Sequence, residues 1–279
     1  MMKMMKISHS DFSGMKKRYP KRNGKNPFHT RPKKQSFPFE LEYPVRLNKF
    51  IAKCGTCSRR KAVELVKLGL ITVNGQKATE PYKLIEKDDI VQFKGKPLTP
   101  EKQLIYLLLN KPKDIICTTS DEKHRKTIFD LIHVPMKERL YSIGRLDRNS
   151  TGLIVITNDG ELATKLAHPS HEVVKKYEIR LDKPLTENHQ VEIMEGIDLE
   201  DGKASVDDIK PLNDSRTRME ITLHIGRNRI VRRIFNFLGY SVKNLDRTYY
   251  AGLTKKGVQR KGSSRWLTPR EVVMLKHFI

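Results

Sequence analysis

The chain has 279 residues and a formal charge of +23, from 55 Lys and Arg against 32 Asp and Glu. A balance this cationic points to a polyphosphate partner such as RNA and argues against a bland soluble domain. No apolar run is long enough to span a bilayer, the first residues carry no signal-peptide core, and three cysteines do not make a disulfide framework, so no membrane association and a cytoplasmic location are expected.

Residues 1–42 hold eleven Lys and Arg against three acids and no apolar periodicity before Leu41, which reads as a disordered basic tail. Residues 43–103 read as a compact module. Leu47, Phe50, Ile51 and Cys54 recur at helical spacing until Gly55. Ser58 is placed to cap a second helix with Ala62, Leu65 and Val66 inward and Gly69 at its end. Leu70–Val73 then reads as a strand entering an Asn74-Gly75 hairpin turn. Arg46, Lys49 and Lys53 share one face of the first helix. Arg59, Arg60 and Lys61 stand at the start of the second, where free backbone amides also suit a phosphate. Cys54-Gly55-Thr56-Cys57 has no second cysteine pair and no βαβ context, so packed cysteines are expected rather than a metal or redox site. Gly95–Lys102, with two prolines, reads as a linker.

In residues 104–279, strand patterns (104–110, 153–157, 177–181, 219–225) and helical ones (after Asn158 or Asp159, 231–238, and from the Thr268–Glu271 capping box) do not alternate strictly. An α+β fold with a mixed, largely antiparallel sheet is expected. Three places concentrate charge. Asp147 lies between Arg145 and Arg148 in a glycine-bearing loop; it either caps a turn or pairs with Arg145, or it is a catalytic acid within reach of an RNA substrate. Tyr177 follows two lysines and shares a strand face with Ile179 and Leu181, as a core tyrosine would. Gly226–Arg233 hands a strand over to a helix on which Arg229, Arg232 and Arg233, at i, i+3 and i+4, form a basic face. A metal-dependent nuclease would want clustered acids, and these motifs offer one, so no metal is expected. His168-Pro169-Ser170-His171 lacks the context of a nucleophilic serine and reads as a turn.

Residues 45–51, with Cys57-Ser58-Arg59-Arg60, Gly69 and Val73-Asn74-Gly75, resemble the S4 RNA-binding domain, a small module of the αL type. Gly144-Arg145-Leu146-Asp147 through Gly152-Leu153, then Lys176-Tyr177-Glu178, then Gly226-Arg227-Asn228-Arg229 with Val231-Arg232-Arg233, resemble motifs of the RsuA/RluB/RluE/RluF family of ribosomal RNA pseudouridine synthases. Leu109-Asn110-Lys111-Pro112 fits the same pattern. The resemblance covers about residues 43–275 and implies a catalytic domain at 104–279. It implies detachment of a flipped uridine at its N-glycosidic bond and reattachment through C5, with no cofactor. Asp147 would be the essential carboxylate, attacking the ribose or taking a proton from it. Arg232 would be its partner, with Arg233 as the rival, and Tyr177 would stack on the uracil. Arg145, Arg227, Asn228, Arg229 and Arg233 would hold RNA near the flipped nucleotide. Arg46, Lys49, Ser58, Arg59, Arg60, Lys61 and Asn74 would dock the S4 module on RNA by shape and backbone. Within the branch of the family that acts on the large ribosomal RNA, residues 166–177 and 196–204 resemble the B type and residues 45–50 and 244–247 the F type, which favours 23S over 16S rRNA. The implied partner is that RNA or an assembling ribosomal particle, bound by a monomer. The alternatives are a 16S rRNA synthase and a non-catalytic S4-type ribosome-assembly factor.

Overall fold

The computed structural model describes residues 37–119, 121–132, 134 and 140–277; the basic stretch 1–36 lies outside the described residues. The first module, residues 43–103, is built on helices Leu47–Lys53 and Arg59–Lys67. The Ser58 hydroxyl accepts the Lys61 amide at 3.1 Å, satisfying one of the orphan donors of the second helix. Leu47, Phe50, Ile51, Ala62, Leu65 and Val66 meet Ile71 and Val91 in one core. A four-stranded antiparallel sheet closes the module, in the order Gln76–Lys77, Ile71–Val73, Val91–Phe93, Lys96–Pro97. Asn74 and Gly75 take φ of 51° and 79°, as a tight hairpin turn between twisted strands requires. Cys54 and Cys57 pack against this core, and burial pushes the Cys54 thiol up to about 12.

Two boundaries differ from the sequence reading. Lys94 and Gly95 form the turn between Val91–Phe93 and Lys96–Pro97, so the link between modules shortens to residues 98–102. Residues 37–42, which the sequence pattern assigns to the tail, are packed chain. Phe37–Pro38 pairs with Gln103–Leu104, Phe37 meets Tyr106 edge-on at 5.4 Å, and Leu41 enters the S4 core. These apolar residues are too few to show periodicity, and their partners lie some 65 residues away.

The second module is a nine-stranded sheet ordered Asp208–Pro211, Arg218–Leu223, Lys175–Leu181, Val242–Tyr250, Thr151–Thr157, Tyr106–Lys111, Ser264–Trp266, with Tyr141–Ile143 on Thr151–Thr157 and Leu253–Thr254 on Val242–Tyr250. Every pairing is antiparallel except that of Thr151–Thr157 with Val242–Tyr250. The fold is α+β with a mixed, largely antiparallel sheet, as expected. Strands Tyr106–Lys111 and Thr151–Thr157 are buried throughout. Their alternate residues feed two cores: Tyr106, Leu108, Leu153 and Val155 on one face, Leu107, Leu109, Ile154 and Ile156 on the other.

Helix Gly160–Ala167 starts at Asp159, whose carboxylate accepts the amides of Glu161 and Leu162. Helix Pro269–His277 starts in the Thr268–Glu271 capping box. Helix Ile230–Phe237 presses Val231, Ile234 and Phe235 onto Tyr177, Ile179 and Leu181. Its first residue is Ile230, because Arg229 takes a left-handed φ of 48°. The expected three-arginine helix face is therefore not formed: Arg229 precedes the helix and aims independently of it.

Candidate active site

Asp147 sits in the loop between strands Tyr141–Ile143 and Thr151–Thr157, which pair with each other from Ile143↔Val155. The loop is fixed from below by Lys111. Its ammonium, on a residue with no exposed surface, donates to the carbonyls of Ser150 (2.8 Å), Pro112 (3.0 Å) and Arg148 (3.4 Å). Burial pushes the Lys111 pKa down, with the negative groups around it, Asp147 included, opposing. Arg148 adds a second tie, pairing with Asp114 at 3.1 Å, so it is not the partner of Asp147. Arg145 is exposed and lines the same cavity as Asp147.

The Asp147 carboxylate, about a third exposed, receives Arg229 Nη1 at 3.3 Å and faces Arg232 Nε at 3.9 Å, an ion pair rather than a hydrogen bond. Arg232 is steadied by donating Nη1 to the Val242 carbonyl at 2.6 Å. Burial lowers its pKa, Arg229 adds to that, and Asp147 opposes it. The nearer contact to the acid is thus Arg229, freed by its left-handed backbone. Arg233 is not a partner. It makes a bidentate pair with Asp201 at 2.6 and 2.8 Å. Arg227 binds the same hairpin, donating to the carbonyls of Asp201 (3.0 Å), Gly202 (2.7 Å) and Lys203. Arg233 first, then Arg227, holds the Asp201 carboxyl well below the usual range. The hairpin Ile197–Leu199 and Gly202–Ala204 therefore clamps the arginine loop, and Arg227 and Arg233 are spent within the protein.

Asp147, Tyr177, Arg229 and Arg145 line a cavity of about 490 Å³, within the range of pockets that hold small ligands. Tyr177 is 8% exposed and belongs to the core cluster as well as to the cavity wall. Two cations that the motifs did not single out also line this cavity. Lys175 donates to the carbonyls of Val173 and His224 at 2.7 and 2.5 Å, and burial, aided by Arg247, pushes its pKa down to about 8. Arg247 is 3% exposed and opposes Tyr177 in the sheet register.

A larger cleft, about 1210 Å³, lies between the S4 helices and the Gly160–Ala167 helix. It is lined by Arg46, Lys49, Ser58, Arg59 and Arg60, with Glu101 and Glu161 as its acids. Lys49 pairs across it with Glu161 at 3.0 Å. Lys61 pairs with Glu64 at 2.7 Å. The Asn74 side chain is taken up within the module, donating to Asp89 (2.7 Å) and accepting from the Ile90 amide (2.9 Å). Asn228 is exposed beside Arg229.

An acid held between arginines at a tyrosine-walled cavity, in a chain with a separate cationic module, fits an enzyme that acts on RNA. Residues 105–237 match the RNA pseudouridylate synthase family, and residues 45–91 match the S4 domain. Ribosomal large subunit pseudouridine synthase B of Bacillus subtilis is 39% identical over 236 residues, covering 83% of this chain and 95% of that protein. An uncharacterized RNA pseudouridine synthase of Mycobacterium leprae is 38% identical, covering 83% of this chain and 92% of its own. A crystal structure of pseudouridylate synthase matches at a TM-score of 0.60 and 28% identity, covering 83% of this chain and 99% of that one. The chain belongs to the RNA pseudouridine synthases that carry an S4 domain, isomerases that convert uridine to pseudouridine.

Proposed function

We propose that this protein isomerises defined uridines of 23S rRNA, free or in an assembling ribosomal particle, as a cytoplasmic monomer. The observation that carries the reading is the Asp147 carboxylate, set between Arg229 and Arg232 at the cavity that Tyr177 walls. The relatives named for the large ribosomal subunit support the choice of RNA.

A target uridine leaves its stack and enters the cavity, where Tyr177 meets the base face and offsets part of the unstacking cost of a few kcal/mol. Asp147 then attacks C1′ of the ribose or removes its H2′. Both routes use the ionised acid, and the two guanidinium groups supply its counter-charge. Lys111 holds the loop so that the carboxylate needs no reorganisation at the moment of reaction. Arg145 and Arg229 line the cavity and Asn228 is exposed next to Arg229, a cationic rim for the RNA backbone. Arg46, Lys49, Ser58, Arg59, Arg60 and Lys61 present the S4 surface to the RNA. No cofactor is required, since the carbon nucleophile is already in the uracil ring.

Transcripts of 23S and 16S rRNA labelled with [5-³H]uridine, and large ribosomal particles assembled from them, test the reading by tritium release. Release from 23S substrates at discrete sites is expected. Release from 16S rRNA alone would move the substrate to the small ribosomal RNA, and none from any ribosomal RNA would overturn the reading.

A further inference from the structure

Arg247 is an unusual residue for the wall of this cavity. It is 3% exposed, yet Leu153 O, 2.7 Å from its Nε, is the one hydrogen-bond acceptor its guanidinium has among the described residues. Its Nη2 is buried without a partner. The adjacent acid, Asp246, is committed elsewhere, to Lys255 at 2.5 Å and Thr151 at 2.8 Å. The Tyr250 ring, with its centroid 4.4 Å from the guanidinium carbon, offers a π face but no lone pair. Lys175, close enough for Arg247 to lower its pKa, adds a second positive charge. A guanidinium this poorly satisfied is costly to bury unless something else completes its hydrogen bonds.

The fold goes to some length to keep it there. Gly152 lies opposite Arg247 in the single parallel pairing of the sheet, at φ 112°. A Cβ on Gly152 would stand 2.3 Å from the Arg247 carbonyl oxygen and 2.4 Å from its nitrogen. On the other side, a register shift next to Tyr177 sets Tyr177 opposite Arg247.

We infer that Arg247 is a further substrate-contacting residue, donating to a carbonyl of the flipped uracil and holding the negative charge the ring acquires as the glycosidic bond breaks. This rests on the synthase reading above. When the N1–C1′ bond breaks, its electron pair passes to N1 and spreads to O2 and O4. Meanwhile C1′ bonds to the Asp147 carboxylate or the ribose loses H2′ to it, so the base leaves as an anion on either route. As C5 bonds to C1′, the C1′–Asp147 ester bond breaks and frees the carboxylate, or the Asp147 carboxyl returns its proton to C2′; the proton then lost from C5 balances the one gained at N1, and no co-reactant is consumed. A fixed cation in a water-poor pocket acts on that developing charge. Burial distinguishes the uracil from a phosphate as the acceptor. Phosphates stay with the backbone at the cavity edge, where the Arg229 side chain is half exposed, while only the base reaches a residue as enclosed as Arg247.

The test compares Arg247→Met, Arg247→Lys and Arg247→Gln with the wild type in single-turnover tritium release from 23S rRNA transcripts, alongside RNA affinity across a salt series and thermal melting. The expected result for Arg247→Met is a rate lower by about a hundredfold or more, with affinity and salt slope unchanged. Arg247→Lys, which keeps the charge, should recover at least about tenfold over Arg247→Gln. A weaker affinity and a salt slope flatter by about 0.7–0.9, with the rate intact, would make Arg247 a phosphate contact and overturn the inference. Equal rates for the Lys and Gln variants overturn it too, and that comparison decides if Arg247→Met does not fold. Failure of the wild type on every ribosomal substrate would instead be failure of the synthase reading on that RNA.

Discussion

In the S4 module Arg46, Arg59 and Arg60 are exposed and make no ion pair among the described residues. In the catalytic module Arg227, Arg232, Arg233 and Arg247 are each held by carbonyls or carboxylates of the protein. The same side chain thus serves two purposes. A docking surface needs charges that solvent and counterions can leave, since release of those ions drives association with RNA. A reacting centre needs charges that do not move, since reorganisation during the reaction would cost what the charge contributes.

The sharpest way to break this contrast is Asp147→Ala, which should abolish tritium release while leaving RNA affinity within about twofold of the wild type, as docking lies with the exposed cations. Affinity lost in parallel would mean that the two regions are not separable. Lys111→Met comes next. It removes the cation that three loop carbonyls share, and should lower stability by roughly 2–4 kcal/mol, read from the urea midpoint, with a slower rate in the folded fraction.

Lys175 sharpens the comparison through pH. Its pKa is near 8 when folded and 10.5 in the unfolded reference. Between those values the unfolded chain holds the extra proton. The unfavourable contribution of this buried lysine is therefore fully present below pH 8 and fades as pH rises to 10.5. Stability curves of Lys175→Met should lack that rise over the same window.

Arg59→Ala and Arg60→Ala should each flatten the slope of log affinity on log salt by about 0.7–0.9 where a phosphate contact is lost, with the single-turnover rate at saturating RNA unchanged. The smallest effect belongs to Lys49 and Glu161. This partly exposed pair should show a coupling of about 1 kcal/mol or less in a double-mutant cycle.

Local chemistry was the most legible part of the sequence. Ser58, Asp159 and Thr268 with Glu271 begin helices because a side-chain oxygen can satisfy free amides within three residues, and Asn74-Gly75 turns because it tolerates positive φ. The meeting of Asp147 with Tyr177 at one cavity was expected from motif resemblance. What stayed hidden depended on distant partners. Arg233 was a rival for Asp147 until Asp201, 32 residues away, took it in a bidentate pair. Arg229 counted as part of a helix face because spacing alone does not reveal a left-handed residue. Lys111 and Arg247 lay in stretches that fitted the family pattern but had no role assigned, since burial of a charge is decided by sheet pairing and not by neighbours in the chain. Residue type was the misleading cue at Asn74, whose amide serves its own module.

The short two-stranded pairing of Phe37–Pro38 with Gln103–Leu104, apart from the catalytic sheet, brings the chain before the S4 module and the chain after it together in one clasp. A module hung on a single linker samples a sphere; one anchored at both ends can swing but cannot drift. The basic cleft is therefore tied to the catalytic module by the chain on both sides of the S4 module and by the Lys49–Glu161 pair. Lengthening the chain on either side of that clasp is expected to shift which uridine is modified before it weakens RNA binding, as mapping of pseudouridine positions would show.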